Sequence, residues 1–124
     1  RKILHDPTIG VIATCVRVPV PVGHGEAIVA EFAEAPNVAE ARRLCDEFPG
    51  VRVMDDLAAG VVPIPEDIAG TDDVLVGRIR RDDSAPHSLA LWCVSDNLRK
   101  GAATNAVQIA ETLLAQRHET SPRA

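Results

Sequence analysis

Aromatic residues are almost missing from this sequence. There is no tyrosine, and two phenylalanines and one tryptophan are the whole supply in 124 residues. A core therefore has to be assembled from valine, isoleucine, leucine and alanine. Basic residues do not predominate: 13 Lys and Arg stand against 18 Asp and Glu, a formal net charge of −5. That balance argues against nucleic acid or an anionic membrane as a partner. No apolar run approaches the roughly 18–20 residues that a membrane-spanning helix needs.

The common signatures of cofactor and metal sites are missing too. There is no G-x-G-x-x-G after a strand, no P-loop, no G-x-S-x-G and no paired Cys/His set at ligand spacing, so no metal is expected. Cys15, Cys45 and Cys93 are odd in number, far apart and each set in an apolar pattern. They fit buried thiols in a reducing cytoplasm better than a disulfide frame or a zinc site. None has the basic or Gly/Ser-rich setting that lowers a thiol pKa, so no covalent nucleophile is expected here. The opening Arg1-Lys2-Ile3-Leu4-His5-Asp6 has neither an initiator Met nor a signal-like pattern, and the chain is expected to be a piece of something longer.

What is present suits one modest α+β domain. Residues 1–5 read as the last turn of a helix, closed by Asp6-Pro7. Residues 10–18 are β-branched and apolar on both faces, a strand expected to be covered on both sides. Pro19 and Pro21 make 19–25 a loop, with His24 at its tip between Gly23 and Gly25, which keep side chains from crowding it. A strand is expected over 26–34. A helix comes next over 37–48, with Asn37 as cap, Glu40 reaching back to it, and Val38, Ala41, Leu44, Cys45 and Phe48 on one face. Residues 51–54 form a short strand and 55–73 a long loop. Strands at 73–81 and 88–95 make a hairpin around 82–87, the second arm being central. A helical period with Leu98, Ala102, Ala106, Ile109, Ala110, Leu113 and Leu114 on one face then runs to about residue 117, and 119–124 form a loose tail. The sheet is expected to be mixed and mostly antiparallel, with flanking helices and a C-terminal helix.

Arg17 and His24 lie seven positions apart. A fixed guanidinium suits a carboxylate, and an imidazole can move a proton, so the pair suits one pocket. The plainer alternatives are an Arg17–Glu26 ion pair and a surface histidine. His5, His87 and His118 are expected to be solvated. The stretch Ser95-Asp96-Asn97-Leu98-Arg99-Lys100-Gly101 opens a helix with two cations, either an anion site or a turn capped by Asp96 whose basic side chains point to water.

Three motifs carry a resemblance. Cys15-Val16-Arg17-Val18-Pro19-Val20 with Gly23-His24-Gly25-Glu26-Ala27, then Val76-Gly77-Arg78-Ile79-Arg80, then Ser95-Asp96-Asn97-Leu98-Arg99-Lys100-Gly101-Ala102-Ala103 with Asn105-Ala106-Val107-Gln108-Ile109-Ala110-Glu111, closely resemble bacterial aspartate-semialdehyde dehydrogenase, in order and at family spacing. The resemblance implies a cytoplasmic, homodimeric oxidoreductase of amino-acid biosynthesis (lysine, methionine, threonine and diaminopimelate). It implies reduction of aspartyl phosphate with NADPH, through a cysteine thioester, to aspartate semialdehyde and phosphate. Arg17 matches the arginine that clamps the substrate carboxylate, His24 the acid/base histidine and Asn97 a position that contacts NADP. Gly25 stands where a serine is common. The nucleotide-binding turn, the cysteine nucleophile and its neighbouring glutamine are absent. Residues 1–96 then correspond to the C-terminal part of the catalytic and dimerisation domain, and 97–124 to a closing helix for the nucleotide domain. The piece alone is expected to be inactive. An N-acetyl-glutamyl-phosphate reductase and a non-catalytic dimerisation module are the alternatives.

Overall fold

Apolar residues recurring at strand and helix periods decide most of the architecture. The computed structural model describes residues 2, 3 and 5–120, the last three of these by backbone alone. In chain order the elements are β1 (His24–Glu31), α1 (Val38–Glu47), β2 (Val51–Val53), α2 (Pro65–Ile68), β3 (Val74–Arg81), β4 (Ser88–Ser95) and α3 (Thr104–Thr120). The sheet order is β1-β4-β3-β2. β4 runs antiparallel to both β1 and β3, while β2 is parallel to β3. This is the mixed, mostly antiparallel α+β sheet that the sequence predicts, with the hairpin in place and β4 central.

The two faces of the sheet are covered differently. Leu75 and Val94 are sealed against Ile68, with Met54 and Trp92 packed beside them. Ile68 comes from α2, a single turn inside the stretch expected to be loop. Pro65 occupies its start and Glu66 and Asp67 its first turn, where a fixed φ and negative charge both favour a helix beginning. On the edge formed by β2 and β3 the sheet carries α1. Asn37 Oδ1 accepts the Glu40 N–H at 3.1 Å, the expected cap. The Glu40 carboxylate does not reach back; it takes the Arg43 guanidinium at 2.6 and 2.9 Å.

A bulge interrupts β3 between Gly77 and Arg80, with Arg78 at φ +57°. Asp55 fills the gap: its carboxylate accepts the Ile79 N–H at 3.0 Å and pairs with Arg42 at 2.7 Å. Burial alone would raise its pKa, but the N–H groups of Arg78 and Ile79 and the Arg42 guanidinium hold it below the usual carboxylate range. Gly77 lies against the Met54 carbonyl and the Pro63 ring, where any Cβ would collide.

Several expectations need correction. Residues 10–18 form no strand and are exposed throughout, Val16 to 79% and Ile12 to 96%. Their β-branched side chains favour a sheet, but the described sheet offers them no partner, and strand propensity has effect only against a neighbouring strand. Cys15 is consequently exposed, not buried, and Cys45 and Cys93 are half-buried. The strand expected over 26–34 begins earlier and ends at Glu31. The helix expected from Leu98 opens as a wide π-type turn over Arg99–Ala103, broken at Ala102 (φ −140°, ψ −120°), and becomes regular only from Thr104. The expected face of that helix is exposed, with Leu98, Ile109, Leu113 and Leu114 all more than half open. The helix tail expected over 1–5 and the loose tail over 119–124 fall partly outside the described residues. Those that are described show a turn, with the His5 N–H on Lys2 O, and a helix continuing to Thr120.

Candidate functional site

His24 is the first residue of β1, not a loop tip. It pairs with Ser95, the last residue of β4, which also pairs with Val74 at the start of β3. What starts the strand here is the residue before it. Gly23 is buried at φ +100°, a conformation that glycine alone adopts without strain, and its face is closed by Pro65. Its N–H is donated to Asn97 Oδ1 at 3.0 Å, across 74 residues of sequence. Gly25 answers a separate requirement: the Trp92 indole lies where its Cβ would be, and Trp92 Nε1 donates to Pro63 O at 3.0 Å. That glycine makes room for a ring on the covered face and not for the histidine. His24 itself is exposed.

Asp96 builds the turn that carries Asn97. It is buried, with Oδ2 accepting the Gly70 N–H and Oδ1 the Leu98 N–H, each at 2.8 Å. Its carbonyl oxygen accepts the N–H groups of Arg99, Lys100 and Gly101. The Gly70 N–H above all, joined by those of Leu98 and Arg99 and set against burial, holds its carboxyl below the ordinary range. Asp96 therefore caps as expected. The two cations beyond it, Arg99 exposed and Lys100 half-buried, are both engaged by neighbouring side chains and do not leave an anion site open. Arg99 forks onto Asp72 at 2.7 and 3.1 Å, and Lys100 donates to Gln108 Oε1.

Of the three residues singled out in the sequence, His24 and Asn97 are brought to one end of the sheet. Arg17 is exposed in the irregular 10–19 stretch, and among the described residues it pairs with neither Glu26 nor any other acid. Two depressions on the surface, one between α1 and Val53 and one around Asp55 and Arg78–Arg80, contain none of the three. Glu26 is cross-strand from Cys93, whose Sγ lies 3.9 Å from its carboxylate. Burial first, and Glu26 second, push the Cys93 thiol up to about 11. His87, at φ +61°, is exposed, yet its Nδ1 lies 3.1 Å from Ala33 O. His118 belongs to the residues described by backbone alone. Among the described residues no cluster of His, Cys, Asp and Glu could hold a metal ion.

The family described as semialdehyde dehydrogenase, dimerisation domain, matches residues 1–100. The chain belongs to that family. Aspartate-semialdehyde dehydrogenase from Prochlorococcus marinus is 49% identical over 114 residues, 92% of this chain and 33% of the relative. The Bacillus subtilis enzyme of the same name is 46% identical, over 91% of this chain and 33% of its own. Among solved structures, aspartate semialdehyde dehydrogenase II from Vibrio cholerae matches with a TM-score of 0.83 at 43% identity, over 92% of this chain and 33% of that one. A second structure of that protein, complexed with ASA, matches at 0.74 over 82% of this chain. This semialdehyde dehydrogenase domain thus spans about a third of the length of the curated relatives it matches.

Proposed function

We propose that this domain supplies part of the active site and the dimer contact of an NADP-dependent aspartate-semialdehyde dehydrogenase of amino-acid biosynthesis. The observation that carries the reading is the placement of His24: solvent-open, at the head of an edge strand, and tied through Gly23 to Asn97. A histidine so held can take a proton and return it. Arg17 offers a planar fork that matches a substrate carboxylate, and among the described residues no acid competes for it. Aspartyl phosphate, aspartate semialdehyde and phosphate are the small molecules this pair would serve.

For NADP the chain offers little beyond Asn97. Arg99 and Lys100, the neighbouring cations, are taken by Asp72 and Gln108, whereas Asn97 Nδ2 has no partner among the described residues. The fit is to a single amide contact, and NADPH, when bound, supplies the hydride. The Cys93 thiol does not suit the thioester. Cys93 is protonated at neutral pH, and a thiol rather than a thiolate is a poor nucleophile. As the resemblance implies, the nucleophile and most of the nucleotide site belong to chain outside this sequence, and the 104–120 helix packs its exposed apolar side chains there. The domain alone gives no turnover with aspartate semialdehyde, phosphate and NADP.

The test is His24→Ala in the full-length enzyme that carries this domain, assayed with those three compounds. Turnover should fall by about 10²–10⁴, the contribution of one general acid/base group, with little change in melting temperature. Turnover equal to that of the parent would remove His24 from the chemistry.

A further inference from the structure

Asn97 has two polar ends, and the fold occupies one of them. Because Oδ1 receives the Gly23 N–H, the amide orientation is fixed by that donor and Nδ2 is the end left open. Gly23 is the residue immediately before His24, and because glycine reaches φ +100° as readily as other conformations, its surroundings have to select that one. Three constraints do so here. Pro65 closes one side, the His24–Ser95 pairing fixes the next residue, and Asn97 holds the N–H.

The result is a closed ring. Gly23 and His24, at the entry to β1, and Ser95, Asp96 and Asn97, at the exit from β4, are joined by the His24–Ser95 pairing at one end and the Asn97–Gly23 bond at the other. Asn97 cannot drift, because Asp96 pins its turn to the Gly70 and Leu98 N–H groups. The geometry points to Asn97 as a positioning residue for His24, acting through the Gly23 N–H, with only its amide NH2 available to a cofactor. This rests on the reading of His24 as the acid/base group. Its consequence is that one side chain sets both the direction of the imidazole and one contact at the cofactor.

The test uses the full-length enzyme, with kcat and the NADP KM measured for Asn97→Ala, Asn97→Asp, Gly23→Ala and His24→Ala. Asp keeps an acceptor for the Gly23 N–H and loses the NH2; Ala loses both. Asn97→Ala should lower kcat at saturating NADP by about 10- to 100-fold, the scale of a small misplacement of a catalytic group. Asn97→Asp should restore most of that kcat while leaving the NADP KM raised. Gly23→Ala should reproduce the loss in kcat with the NADP KM near the parent value. An Asn97→Ala enzyme altered only in its NADP KM, or an Asp variant as slow as the Ala variant, overturns the proposal. If Asn97→Ala does not fold, the kcat of Asn97→Asp decides: retained supports positioning, lost refutes it. Parent-level turnover in His24→Ala is a different failure, since it removes the acid/base reading and leaves the Asn97 comparison to speak only for cofactor contact.

Discussion

At the scale of single residues, Asp55 shows what sequence reading passes over. It sits in a stretch read as loop, yet its carboxylate supplies the acceptor that a bulged strand needs, and its side chain is only 4% exposed. Replacing it with alanine leaves the Ile79 N–H without its acceptor and the Arg42 guanidinium with only the residue-55 carbonyl. The expected cost is about 1–3 kcal/mol, read as a lower urea midpoint with unchanged slope. Arg17 is the opposite case, conspicuous in sequence as a charge in an apolar run and almost uninformative in the structure. Its role is tested by Arg17→Lys in the full-length enzyme: the KM for aspartate semialdehyde should rise, because an ammonium cannot reproduce the bidentate fork. An unchanged KM would count against the carboxylate clamp. Asn97 is a candidate only through the resemblance, and its bond to Gly23 could not be read from the sequence, since it spans 74 residues and leaves no local pattern.

At the scale of elements, period and turn chemistry gave β3, β4 and α1 nearly to the residue, because each has its own apolar pattern and a local stop signal. Pro65-Glu66-Asp67 was a readable helix start for α2, obscured by the surrounding prolines. The 10–18 stretch and the start of α3 could not be read correctly from pattern alone. Both carry the composition of regular structure without the neighbours that would complete it. β1 began two residues early because a tertiary bond, not a strand propensity, turns the chain at Gly23. The close packing of β1 on β4 gives a sharp prediction: Gly25→Ala should destabilise by about 1–3 kcal/mol, since the added methyl must displace the Trp92 ring. Thermal or urea unfolding measures it. A stability equal to that of the parent would mean that the ring moves aside at no cost.

For the molecule as a whole, the exposed apolar residues are concentrated before β1 and along α3, on either side of the sheet in sequence. Scattered apolar exposure is ordinary, but a sustained run is not. The chain prepared alone should therefore enhance the fluorescence of an apolar dye more strongly, per mole, than the full-length enzyme does. Equal enhancement would show that the rest of the protein leaves these residues open. Acid provides a second global test. Asp55, Asp72 and Asp96 all have carboxyls held below their ordinary range, Asp72 chiefly by Arg99. Their contribution is complete above the unfolded carboxylate value of about 3.9 and is lost as the pH falls through the lower folded values. Stability should accordingly fall on acidification below about pH 4, and less steeply in an Asp55→Asn variant.

One consequence of the β1–β4 contact is practical. The sole tryptophan of this sequence presses its ring on the backbone next to His24 and anchors its indole nitrogen on the Pro63 carbonyl. Emission colour and quenching of that indole thus form a built-in optical gauge of the strand that bears the imidazole, readable without any label.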